Sequence, residues 1–435
     1  MTTLGGQILL PGPTGQAVIR EGIVKIDGEQ IISVDFEDVT CSVDLGCPNA
    51  LISPGFIDTH LHLPQFDSIG AFGMPLMPWL NQVILPAEQR WNDHRFAAEM
   101  TDRVARQCLG VGTTGVCAYA TTSYDATIQA LKAFDAIGFR GVIGQAMMDR
   151  DTPPDLIRPT DQLVDEVNET LLKFPSSGRL AAAVTPRFAL SCSDGLMMQA
   201  GKLAEAHQAI MQTHLAETEA ECAEVRNRFG GKSYVDVYAG FGLLGPRSIF
   251  GHGIHLGPEC QSKLARSGSL IAHCPTANSF LGSGTMNRAS HLSAGVKITL
   301  GSDIGAGYER SMVRVGRAMI DAAMRIAGNA LSSTDPRSSV PNAAEAWYQI
   351  TTGNADALGW TDVGRIASGM SADLCVIEPD IPWRSAQDPL SALMFAWDDR
   401  WIRQTILRGQ VQYQSTQSSS MNPVAATRSD GASRP

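Results

Sequence analysis

The chain has 435 residues, 44% of them hydrophobic and 18% charged, with a formal net charge of −10. That make-up supports a sizeable core and excludes a disordered polymer, and the acidic balance excludes a nucleic-acid-coating surface, which needs clustered Lys and Arg for counterion release. No apolar stretch reaches the roughly 18–20 residues of a membrane-spanning helix, and MTTLGGQILLPGPTG lacks the basic and apolar regions of a signal peptide, so a cytoplasmic protein is expected, with a small-molecule partner, no nucleic acid and no membrane.

Residues 1–50 alternate short apolar runs with turn residues, at 7–10, 22–26 and 30–34, which predicts antiparallel strands. Eight segments then end in polar residues and are followed by stretches long enough for helices: 55–62, 113–119, 141–147, 181–187, 209–215, 248–252, 269–273 and 296–302. Eight such units imply a (β/α)8 TIM-like barrel, whose catalytic groups sit at the C-terminal strand ends. Further strands are expected at 364–366, 372–377 and 401–407. The expected organisation is a composite β-sandwich domain from 1–53 and 364–413, a barrel over 54–363, and a disordered tail over 414–435, rich in Ser, Ala, Thr and Pro. The nine cysteines are odd in number and contain no CxxC pair, so neither a disulfide framework nor a thiolate metal site is indicated, and most are expected to be small buried apolar residues.

The chemistry gathers at those strand ends. Asp58-Thr59-His60-Leu61-His62 ends the first segment, and residues two apart on a strand face the same side, so His60 and His62 can serve one metal. His214, His252 and Asp303 each end another apolar segment. In a barrel these ends converge on one mouth, and three imidazoles with one carboxylate suit a catalytic zinc or iron(II) ion that keeps an exchangeable position. Glu217, three residues after His214, can move protons to and from the metal-activated water without ligating the metal; the plainer alternative is an acid on the first turn of a helix. The Met74 to Trp79 segment is either a water-excluding lid or a packed surface loop. His273 and Asn278 have places near the pocket but no defined role. His255 reads as structural, His94, His207 and His291 as helix or surface residues, and Gly282-Ser283-Gly284-Thr285 lacks the spacing and lysine of a phosphate loop.

PGFIDTHLHLPQF, TPRFALSCS, THLAET, GHGIHL, HCPTANSFLGSG and GSDIGAGY occur in that order. Over residues 50–310 the chain resembles the amidohydrolase superfamily and, within it, the guanine-deaminating enzymes; HLPQ and PRF…SCS are the more specific motifs. The resemblance implies that His60, His62, His214 and Asp303 hold one zinc per subunit and that His252 bonds the attacking water or serves as an occasional ligand. It further implies that Gln65, Arg187 and the Phe188 backbone hold a purine next to His214, that Glu217 shuttles protons with Asp303 assisting, and that the protein is a homodimer. Guanine would then lose its amino group to a metal-activated hydroxide. Removal of a group from another heterocycle (8-oxoguanine, a pterin, an s-triazine) is the runner-up. A two-metal amidase is disfavoured by Arg187, which stands where a bridging lysine would be needed, and a catalytically dead scaffold by the complete residue set.

Overall fold

The computed structural model describes residues 1–39, 42–328 and 340–416. Strands β1 (Thr2–Pro11), β2 (Ala17–Asp27), β3 (Gln30–Asp35) and β4 (Leu45–Pro54) form the first part of the chain. They belong to a seven-stranded sheet completed by segments from the other end: β15 (Leu374–Ile377), β16 (Ile402–Leu407) and β17 (Gln410–Gln414), in the order β17-β16-β15-β4-β1-β2-β3. β1 pairs antiparallel with β2 from Thr2↔Ile26 to Pro11↔Ala17 and parallel with β4, and β15 pairs antiparallel with β4 from Leu374↔Pro54. Alternation puts Leu4, Ile8, Val24, Ile52, Val376 and Ile406 into one buried layer, while Leu9, Leu51, Cys375 and Ile377 pack with Trp347 and Trp397 on the other.

Between these ends lie the parallel strands β5 (Phe56–His62), β6 (Thr113–Tyr119), β7 (Arg140–Gly144), β8 (Ala146–Met147), β9 (Leu180–Ala182), β10 (Thr185–Pro186), β11 (Met211–Leu215), β12 (Ser248–His252), β13 (Leu270–His273) and β14 (Lys297–Leu300). They pair as β5-β6-β7-β9, β8-β10 and β11-β12-β13-β14, giving an α/β structure of parallel sheets. A parallel bridge Val184↔Met211 joins the first set to the last, and the Asp303 amide donates to the His60 carbonyl at 2.8 Å, joining the last strand to the first. Every residue of β5, β6 and β12 is buried, as expected of parallel strands covered on both faces. The covering helices start where the sequence offers caps: Asp93 accepts from Arg95 N and Phe96 N, Ser123 from Ala126 N, and Thr218 forms a capping box with Glu221.

Several expectations need correction. The run 364–366 is no strand: Gly364 has φ +82°, and a Cβ there would meet the Ala355 Cβ at 2.5 Å, so the glycine makes a tight turn. β4 and β17 went unpredicted, the first because Gly46, Pro48 and Asn49 hide it, the second because its exposed edge has no apolar face. β17 runs to Gln414, and Ser415 N still donates to Arg403 O, so these two residues continue the sheet rather than begin the expected tail, and Thr416 follows outside any strand. The rest of that tail, 417–435, and Cys41 lie outside the described residues. The predicted strands 141–147 and 181–187 are each broken into two, and the Met74–Trp79 segment is helical from Leu76, with Leu76 and Trp79 buried. Among the described cysteines Cys108, Cys117, Cys192, Cys222, Cys274 and Cys375 are buried. Among the described residues no helix is long and apolar enough to cross a membrane.

Candidate active site

His60 and His62, two apart on β5, project from the same face and meet His214 at the end of β11, His252 at the end of β12 and Asp303 just beyond β14. All five are buried except His214, which is partly so. His60 fits because two glycines leave it room: a Cβ on Gly251 would lie 2.5 Å from the His60 ring and one on Gly301 2.5 Å from the His60 Cβ. The Tyr119 ring stacks on His62, centroids 4.5 Å apart. Beneath them Asp58 accepts from Ser302 N (2.9 Å) and Ser302 Oγ (2.5 Å), tying β5 to the end of β14, and burial raises its carboxyl to about 7.

The donor set fits a metal ion. Ligands 2.0–2.2 Å from one tetrahedral ion stand about 3.3–3.6 Å apart. Here His62 Nε2 and His214 Nε2 are 3.1 Å apart, and Asp303 Oδ1 lies 3.3 Å from His62 Nε2 and 3.5 Å from His60 Nε2. Both ring nitrogens of His60, Nδ1 of His62 and Oδ1 of Asp303 are buried without a hydrogen-bond partner among the described residues. Burial holds His62 down at about 3 and lowers His60 and His214 as well, so these rings are neutral and keep lone pairs to offer. Burial also works against the Asp303 charge, but the closely placed His60, His62 and His252 rings outweigh it and keep the carboxyl well below the ordinary range. His214 Nδ1 donates to the Arg187 carbonyl at 2.7 Å, which fixes the tautomer that points its Nε2 lone pair at the cluster.

Glu217 sits between β11 and the helix Glu219–Arg228, before the Thr218 cap rather than on the first turn. Its Oε1 accepts from Ser283 Oγ at 2.8 Å, its Oε2 lies 3.5 Å from His252 Nε2, and its amide donates to Glu221 Oε2 at 3.0 Å. Burial raises its carboxyl to about 7, against the nearby His252, so at neutral pH it divides between acid and carboxylate. On His252 burial acts to lower the pKa, and the Glu217 and Asp303 carboxylates outweigh it, so the net shift is upward. His252 Nδ1 is 2.9 Å from Asn278 Oδ1. Ala216, His252 and Asp303 have φ of 49°, 71° and 49°, left-handed values that non-glycine residues hold only where the surroundings compel them.

A cavity opens on this cluster, walled by Gln65, Leu76, Trp79, Arg187, Phe188 and Leu281 among others. Gln65 is buried in the turn Leu63–Ser68 with its Oε1 unpartnered among the described residues, and Gly305 packs against it so closely that a Cβ would reach the Gln65 Cβ at 2.1 Å. Arg187 is 3% exposed, and its Nη1 donates to the buried Glu88 at 2.5 Å. The Phe188 carbonyl already accepts from Ser191 N and Oγ. Sequence reasoning left Asn278 without a role, set Ser283 aside and missed Glu88 and Tyr119; a buried arginine's need for a counter-charge was the one available signal for Glu88. His255 donates from Nε2 to the Ser283 carbonyl, behind Glu217. His273 is buried outside the cavity wall, with Nδ1 unpartnered among the described residues.

The chain resembles known proteins over most of its length. The model of the amidohydrolase family matches residues 51–411. The guanine deaminase of Escherichia coli is 34% identical over 376 residues, covering 84% of this chain and 83% of that protein, and that of Homo sapiens is 34% identical over 334 residues, covering 75% and 72%. The crystal structure of guanine deaminase from C. acetobutylicum with bound guanine superposes with a TM-score of 0.87 at 27% identity, over 95% of this chain and 100% of that one. The chain therefore belongs to the amidohydrolase family.

Proposed function

We infer that this chain is a metal-dependent hydrolase that converts guanine and water to xanthine and ammonia. The observation that carries the reading is one cavity in which Gln65, Arg187 and Phe188 face Glu217 and the His/Asp cluster. The relatives at 31–34% identity over most of the chain bear the same activity in their names.

In this proposal His60, His62, His214 and Asp303 hold one zinc ion, which supplies the Lewis acidity that makes a water nucleophilic near neutral pH. The chain's own groups do the rest. An arginine donates well to a carbonyl, so Arg187 and the Phe188 amide bind the C6 oxygen while the Gln65 amide pairs with the ring edge. That places C2 over the cluster. Glu217, poised at about 7, takes a proton from the attacking water and gives it to a ring nitrogen beside C2. His252, oriented by Asn278, hydrogen-bonds the incoming oxygen, and Asp303 takes the hydroxyl proton and passes it to the amino group, which leaves as ammonia while the C2 carbonyl forms. Leu76 and Trp79, buried in the cavity wall, keep bulk water out.

We further propose that the parallel strands close as a (β/α)8 barrel over 54–363, supported by the Asp303–His60 bond between its last and first units, and that the sheet from both chain ends is a companion domain. The function is tested by ammonia release from guanine, 8-oxoguanine, pterin and melamine with zinc-loaded protein and Glu217→Ala as control. Guanine turnover far above the others, lost in the control, is the expected result. Turnover of another member alone would retain the chemistry and reject the roles of Gln65 and Arg187.

A further inference from the structure

Arg187 carries one feature that purine binding alone does not require. Its guanidinium is buried in the cavity wall and its Nη1 donates to Glu88, which is 0% exposed, on the helix Leu85–Gln89. Glu88 is absent from the cavity wall, so it reaches a ligand only through Arg187. The Arg187 Nε and Nη2 have no acceptor among the described residues, while Glu88 Oε2 is buried with no hydrogen-bond partner. A carboxylate placed so is costly to bury, and a neutral amide would orient Nη1 as well through a single acceptor. What the amide cannot supply is the charge.

We propose that Glu88 is a positioning residue whose charge cancels that of Arg187, so that the pocket binds a neutral 6-oxopurine and does not retain the anionic product. The inference rests on the guanine-deaminating reading. Replacing an amino group by a carbonyl makes the purine more acidic, so xanthine ionises at mildly alkaline pH where guanine and hypoxanthine are still largely neutral. An uncompensated guanidinium in a buried pocket would grip that anion and slow its release. The other charged or titratable groups facing the cavity, Glu217, Glu221, Asp303, His62, His214 and His252, remain unchanged in the comparison below.

The test is equilibrium binding of xanthine and hypoxanthine to metal-loaded wild type and Glu88→Gln at mildly alkaline pH. Glu88→Gln should hold xanthine about tenfold more tightly, the weight of a modest charge effect, and change hypoxanthine by less than about twofold. A merely structural role would move both ligands together, and that outcome overturns the proposal. Should the variant fail to fold, the wild type decides alone. Its xanthine-to-hypoxanthine affinity ratio should not rise as xanthine ionises, and a tenfold rise would overturn the idea. Absence of ammonia release from guanine would instead reject the underlying function, and it is read in a separate assay.

Discussion

Gly251→Ala should disable the cluster without touching a ligand. The new Cβ would lie 2.5 Å from His60 Cε1, 3.1 Å from Nδ1 and 3.2 Å from Nε2, so the ring must retreat by roughly 1 Å to reach ordinary contact. Little space exists for the retreat. The rings of Tyr119, His214, His62 and His252 surround it at centroid distances of 4.9, 4.9, 5.2 and 5.5 Å, and the Gly301 backbone abuts its Cβ. Metal–ligand bonds tolerate displacements of only about 0.2 Å, so metal affinity should fall at least ~10–100-fold, with activity falling ~100-fold. Overpacking should cost about 1–3 kcal/mol of stability in the metal-free protein. The assay compares zinc content in a buffered zinc series, ammonia release, and chemical denaturation with and without chelator. Gly245→Ala, where a Cβ meets only Ser248 Oγ at 3.8 Å, is the control expected to behave as wild type. A Gly251→Ala protein with full zinc stoichiometry and wild-type turnover would refute the reasoning.

Other changes follow from the same geometry. Glu217→Gln should lower kcat by ~10²–10⁴ with zinc content unchanged, and an unaltered kcat would remove it from the mechanism. Its carboxyl rises from 4.5 to about 7 on folding, so the stability it contributes is present below pH 4.5 and is lost as pH rises through 7. In metal-free protein, denaturation should therefore find Glu217→Gln more stable than wild type by about 3 kcal/mol above pH 8, relative to their difference below pH 4. Ser283→Ala removes the hydroxyl that favours the Glu217 carboxylate, so the acid limb of the kcat/KM profile should move to higher pH; an unmoved limb would show that the bond is idle. Arg187→Ala strands Glu88 in a dry pocket and should cost about 3–5 kcal/mol, part of which Glu88→Gln restores in the double variant; additive losses would contradict a coupled pair.

What could be read from the sequence depended on whether a residue's meaning was local. His60, His62, His214, His252 and Asp303 each terminate a short apolar run, so strand periodicity alone aims them at one place, and the structure brings them together. Gln65 and Arg187 were legible only through resemblance, since one glutamine in a turn and one arginine after a strand carry no pattern of their own. Glu88 was illegible because its partner is 99 residues away, and Gly251 and Gly301 because a missing side chain means something only beside the ring it admits. β4 was hidden for a related reason: it lies between β1 and β15, one from each end of the chain, so the pairing that stabilises it is absent from its own residues.

The same features bear on how metal binding and folding are coupled. Left-handed backbone at Ala216, His252 and Asp303, and nitrogens on His60 and His62 that are unpartnered among the described residues, raise the energy of the metal-free strand ends. The strand bodies are tied by bonds of their own: Asp58 and Ser302 hold the β5 and β14 ends together, and the Asn354 amide donates to the carbonyls of Ile57 and Leu300. The left-handed residues Ala216, His252 and Asp303 thus sit at the mouth, on a framework whose own bonds do not involve the ion. A cation that binds only the folded state should consequently raise global stability by mass action, by about 2.7 kcal/mol at a hundredfold excess over its Kd. It should slow hydrogen exchange most at residues 214–217, 252–253 and 301–304, and uniform protection across the parallel strands would mean that the framework itself depends on the metal.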